Sequence, residues 1–196
     1  MAYTDEAIVK LRAEVEKRKW ASNIDLKKEQ ILYGESYQFE TRYFFDHRLS
    51  LMVPNDFSEM PEEVIAEKYL TAEKPQIILT NHDRSIDITL NLLQGTFQAE
   101  QVPLCLQKLR NTIREVYPAT LFYDEELLYE KDMTVAYMDF KSFSLGGPIY
   151  NVMFVAAIHG RALIGTLNCA FDYWEQWKPV AHEMIKTVQE IKEERT

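Results

Sequence analysis

Residues 146–191, GGPIYNVMFVAAIHGRALIGTLNCAFDYWEQWKPVAHEMIKTVQEI, carry the strongest pattern in this chain. Residues 149–158 are a long apolar run, His159-Gly160-Arg161 is a tight-turn signal, and residues 162–169 are again apolar. That order predicts two adjacent antiparallel strands joined by a hairpin turn. From Trp174 onward, Trp177, Ala181, Met184, Ile185, Val188 and Ile191 recur at helical spacing, so a long helix presents one apolar face, which must lie on the sheet.

Upstream, Gly146-Gly147-Pro148 bends the chain into this hairpin from two further strands at residues 119–129 and 133–140. Residues 98–117 form an amphipathic helix with Val102, Leu106, Leu109, Ile113 and Val116 in register; Pro103 is tolerated in its first turn and Pro118 stops it. Ile86, Ile88, Leu90 and Leu92 make a clean inward face on a strand that pairs with residues 76–80 around a turn at 81–84. Pro61, Glu62 and Glu63 open a short helix that ends near Tyr69. Before it, Tyr37, Phe39, Thr41, Tyr43 and Phe45 alternate with Gln38, Glu40 and Arg42 as the two faces of one strand, and Leu49, Leu51 and Val53 mark the next. Connections this short favour an antiparallel sheet with helices packed on its faces, an α+β sandwich over residues 36–196. Residues 1–35 read as an N-terminal helix and linker. The helix, at 4–20, has a narrow stripe of Ala7, Ile8, Leu11, Val15 and Trp20, which makes a homodimer or folds back over the sheet edge.

Composition bounds the function. The chain of 196 residues is 46% hydrophobic and 27% charged, enough for one good core. A formal charge of −9 offers no basic footprint to a phosphate backbone or an anionic lipid surface, so neither nucleic acid nor a membrane is an expected partner. The first twenty residues interleave charged and apolar side chains, unlike a secretory signal, and nowhere is there a run of about 18 apolar residues that could span a bilayer. A cytoplasmic protein is expected.

The order of these pieces resembles the Mog1/PsbP-like fold, in particular the bacterial DUF1795-type proteins. The matching features are Leu51-Met52-Val53-Pro54 and Phe57 after the first hairpin, the short helix at 61–69, and Pro75-Gln76-Ile77-Ile78. The long middle helix, Gly165-Thr166-Leu167-Asn168-Cys169, and Trp177 with Pro179 complete them. These are packing and turn motifs covering about residues 36–192. The resemblance implies a non-catalytic scaffold used in different settings, from binding a small nuclear GTPase to supporting photosystem II or acting as a chaperone or adaptor for secreted effectors. It carries no catalytic residue onto this chain.

The residues themselves also point away from catalysis. No nucleophile elbow, P-loop or dinucleotide fingerprint is present. His47, His82 and His159 sit in predicted turns, and neither Cys105 nor Cys169 has metal-ligand spacing, so no metal or cofactor is expected. A thiol–imidazole pair of Cys169 with His159 or His182 would serve the alternative reading, a small-molecule binder or hydrolase with a pocket between the sheet and the 98–117 helix. The acidic runs Asp56, Glu59, Glu62, Glu63 and Asp124, Glu125, Glu126 are solvated faces or a docking surface for a basic partner. The strand aromatics outnumber what one face of a sheet can bury. Tyr37, Tyr43, Phe44, Tyr137 and Tyr150 are therefore candidates for a protein- or peptide-binding surface, unless helices bury both faces. The expected function is a protein- or peptide-binding module, an adaptor or chaperone.

Overall fold

A computed structural model of the chain describes residues 24–69, 74–130 and 132–192. The helix expected at residues 4–20, with the homodimer or fold-back assigned to it, lies outside these.

In chain order the elements are β1 (Gln30–Leu32), β2 (Glu35–Tyr37), β3 (Phe39–Phe44), β4 (Leu49–Pro54), β5 (Ser58–Glu59) and α1 (Glu62–Lys68). β6 (Ile77–Thr80) and β7 (Ile86–Leu92) follow, then a 3-10 turn (Ala99–Gln101) running into α2 (Val102–Val116). The chain closes with β8 (Leu121–Glu130), β9 (Met133–Ser144), β10 (Gly147–Ile158), β11 (Arg161–Ala170), a second 3-10 turn (Phe171–Tyr173), α3 (Trp174–Ile185) and β12 (Gln189–Glu190). Seven strands form one antiparallel sheet in the order β5-β6-β7-β11-β10-β9-β8, while β12-β4-β3 and β1-β2 form two small sheets.

The closing hairpin forms as its sequence predicts. β10 and β11 pair from Ile158↔Arg161 to Ile149↔Ala170. His159 and Gly160 both take positive φ, +48° and +69°, as a two-residue turn that matches the strand twist requires. Alternation then sorts β10 between two cores. Tyr150, Val152, Phe154, Ala156 and Ile158 join Trp177, Val180, Ala181, Met184 and Ile185 of α3 and Leu49, Leu51 and Val53 of β4. Val155, with Ala136, Met138 and Phe140 of β9, meets Val102 and Leu106 of α2 on the opposite face. Each fully buried aliphatic or Phe side chain contributes about 1.5–3 kcal/mol, which is why the central strands are the least exposed part of the fold. The result is the expected α+β sandwich, a mainly antiparallel sheet with helices on both faces.

Three local expectations are corrected. The stretch taken as a linker holds the β1–β2 hairpin, turned at Tyr33-Gly34, and its Leu26 and Leu32 are buried in the larger core. Polar composition masked these two anchors. In β3 the inward face is the other one: Phe44 is buried and Tyr43 is exposed. Register decides this, because Phe44 and Arg42 stand opposite Leu49 and Leu51, whose face is fixed by the core. The Arg42 guanidinium leaves that face to donate to the carbonyls of Phe57 at 2.6 Å and Asn55 at 2.7 Å. Finally, α3 stops at Ile185 rather than Ile191. Val188 still packs inward, and Gln189 and Glu190 become a short strand paired with Ser50 and Leu49 of β4.

Candidate functional site

Four of the five aromatics named from the sequence are core residues. Tyr37, Phe44, Tyr137 and Tyr150 are buried in the larger core, Tyr137 and Tyr150 on the face of the large sheet that α3 covers, Tyr37 and Phe44 from the small sheets. Tyr37 meets Trp177 edge-on at 5.1 Å between ring centroids. Tyr43 alone is open, at 54% exposure, with its ring stacked on His47.

Burial leaves a chemical signature. It raises the phenols of Tyr37, Tyr69, Tyr137 and Tyr150, with Glu35, Asp87, Glu126 and Asp139 respectively adding to the shift, and it pushes the Cys169 thiol up to about 12. A group that keeps its proton longer in the folded state stabilises the fold below its unfolded value, and loses that contribution as pH rises through its folded value. With ordinary values of 9.0 for the thiol and 10.0 for the phenols, the loss begins above neutrality and grows past pH 10. Thermal melts should hold to about pH 9 and then fall steadily with pH. Phenolate absorbance from buried Tyr37, Tyr137 and Tyr150 should rise only with loss of tertiary structure, and their titration near pH 10 in a folded protein would refute this account of their burial.

The thiol–imidazole pair is not assembled. His159 lies in the hairpin turn while Cys169 lies at the opposite end of β11, about 27 Å away at 3.4 Å per strand residue. His182 packs on Tyr137 of β9, two strands from Cys169. Among the described residues no group of three or more His, Cys, Asp or Glu is placed to hold a metal ion.

The structure gathers exposed apolar side chains around the acidic run Asp124, Glu125 and Glu126. Thirteen large ones are exposed among the described residues. Eight of these, Val116, Tyr117, Leu121, Tyr123, Leu127, Tyr129, Phe143 and Leu145, lie on β8 or on the segments flanking its first residues. Tyr129 is the most open ring in the group, at 75%. β8 is the last strand of the large sheet, paired on one side with β9. Among the described residues its other side carries no strand.

A buried charge cluster anchors the first half of β8. The ladder with β9 slips between Phe122 and Glu125, and the amide released at Asp124 donates to Asp139 Oδ1 at 2.6 Å. Asp139 is fully buried, and its Oδ2 accepts from the Tyr150 hydroxyl at 2.7 Å and from Lys178 Nζ at 2.7 Å. Lys178 also reaches Asp124 at 2.6 Å. Burial works against the Lys178 charge, but the two carboxylates outweigh it and raise its pKa. Around the cluster, Trp174 stacks with Tyr123 and Phe171, and Lys141 Nζ sits 3.8 Å from the centre of the Phe171 ring. One step along, the Tyr137 hydroxyl donates to Glu126 at 2.6 Å. The arrangement is an aromatic surface with carboxylates along a strand edge.

A cleft of about 590 Å³ opens at the other end of the sheet, beside Phe97, Asp132, Thr134, Glu190 and Lys192. It is large enough for a metabolite. It meets the α2 region only at the leading turn, not along the body of the helix where the sequence reading placed a pocket, and neither cysteine lines it.

No family model matches this sequence, and no curated protein is similar to it. Its fold, however, is shared with solved structures. Cyanobacterial PsbP (CyanoP) from Synechocystis sp. PCC 6803 superposes with a TM-score of 0.57 at 8% identity, over 78% of this chain and 92% of that one. The Ran-binding protein Mog1p of Saccharomyces cerevisiae superposes at 0.51 and 9% identity, over 80% and 97%. The chain has the Mog1/PsbP-like fold. No helix among its described residues is long and apolar enough to cross a membrane.

Proposed function

We propose that this chain is a non-catalytic protein- or peptide-binding module, an adaptor or chaperone, whose partner docks along the β8 edge. The observation that carries this reading is the concentration of exposed large apolar side chains on that one flank, since contiguous apolar surface on a folded domain marks an interaction site. A strand edge with no partner strand among the described residues adds backbone donors and acceptors to the same surface. The Ran-binding relative in fold supports the class of function without supplying a partner.

Site-specific photo-crosslinking in cells tests the proposal. A benzophenone side chain at Tyr129 or Leu121 should yield a discrete protein adduct, while the same group at Leu104 or Ile31, which are as exposed but lie elsewhere, should not. Adducts from the control positions alone, or from none, would remove the β8 flank as the docking surface.

A further inference from the structure

Resting on the docking surface proposed above, we infer that its occupant is an extended basic segment of another protein, added to β8 as an eighth strand of the large sheet. β8 is ten residues long, and only one of its two edges is paired among the described residues. Half of its backbone groups therefore have no strand to bond, and an added strand is the structure that satisfies them in series. Exposed edges this long are usually shortened or covered, and among the described residues no strand covers β8.

Charge decides between a second copy and a different chain. β8 carries Asp124, Glu125, Glu126 and Glu130 with no Lys or Arg. Arg110 answers Glu125 at 2.8 Å, but the single Lys178 ammonium is divided between Asp124 and buried Asp139, and Glu126 is held by a neutral phenol. On this face the carboxylates of Asp124, Glu126 and Asp139 outnumber the ammonium groups of Lys178 and Lys141, which leaves a negative field. Antiparallel pairing of β8 with a copy of itself across its centre would set these acids against the same acids, which is destabilising for directly opposed residues. A basic strand relieves that repulsion and is drawn to the site.

Register gives the pattern of the added strand. Glu126 and Leu128 share the face of Tyr137, and Glu125 and Leu127 share the opposite face with Ala136, so the occupant meets a carboxylate beside apolar surface on either face. The fitting sequence interleaves Lys or Arg with aliphatic or aromatic residues.

Titration of the full-length protein with a labelled alternating Val–Lys peptide of about eight residues, a length that matches β8, tests this. The controls are the Val–Glu counterpart and a Val–Lys peptide N-methylated at alternate residues. At low salt the basic peptide should bind at least about tenfold more tightly than the acidic one, weaken as salt rises, and fail when methylated. Glu126→Lys should reverse the charge preference, while Glu126→Gln should reduce it with the fold intact by circular dichroism. Equal binding of the two charge types, or of the methylated peptide, overturns the inference. So does a Tyr129 cross-link to a second copy or to this chain's own residues 1–23. A discrete cross-linked partner with no preference for the basic peptide would sink this inference and leave the β8 docking surface standing, whereas no cross-link at all removes both.

Discussion

Asp139→Ala should lower stability by about 3–5 kcal/mol, the cost typical of breaking a buried charged network by removing one member. The carboxylate is fully buried and receives three donors at once: the Lys178 ammonium, the Tyr150 hydroxyl and the Asp124 amide. Truncation leaves Tyr150 and the amide without this acceptor in an apolar setting, at about 1–3 kcal/mol for each buried group left unsatisfied. Lys178 keeps Asp124, which limits the loss. At about 2–4 °C per kcal/mol for a chain of this size, the melting temperature should fall by about 6–20 °C. The same change frees the amide that pins the β8 slip, so hydrogen exchange over residues 121–126 should accelerate beyond the global effect. Asp139→Leu with Lys178→Met should recover little of the stability, because the Tyr150 hydroxyl and the Asp124 amide still lack an acceptor and Asp124 loses its ammonium partner. An unchanged melting temperature for Asp139→Ala would mean that water already serves these donors.

The large sheet was legible in the sequence because its strands obey simple periods. Ile86, Ile88, Leu90 and Leu92 repeat every second residue and all four are buried, and the apolar residues from Trp174 to Ile185 repeat at helical spacing and cover the sheet. What failed did so where a long-range partner overrides local pattern. Tyr43 and Phe44 are adjacent aromatics in one strand, and only pairing with Leu49 decides which faces inward. Val188 and Ile191 continue the helical period of α3, yet pairing with β4 ends the helix first. The exposed β8 flank was harder still. LFYDEELLYE places apolar and acidic residues on both faces of β8, and a strand's position at the edge of a sheet is a property of topology that no local window contains. The signal that was present, an acidic run bracketed by aromatics, reads equally well as a solvated face. Tyr37, Tyr137 and Tyr150 drew attention instead because they are large rings on strands, the same property that makes them core residues once α3 covers them.

Gly165→Ala should cost about 3 kcal/mol, at the upper end for overpacking, although it adds a single methyl group to a strand that ordinarily favours it. Gly165 stands directly opposite Phe154 across the β10–β11 ladder, and the Phe154 ring lies over it, so an added Cβ would fall within contact of three ring carbons. The ring has little room to yield: Phe154 is buried in the larger core. Glycine at this position is therefore set by the approach of a side chain, not by backbone torsion, and the two residues act as one packing unit. That makes a double-mutant cycle decisive. Phe154→Ala alone should cost about 3–5 kcal/mol through the cavity it leaves. In the double variant the new methyl at position 165 meets no ring and fills part of that cavity, so the combined loss should fall short of the sum of the single losses by about 1–3 kcal/mol. Chemical denaturation of the four proteins measures the coupling, and strict additivity would show that the ring does not rest on Gly165 in solution.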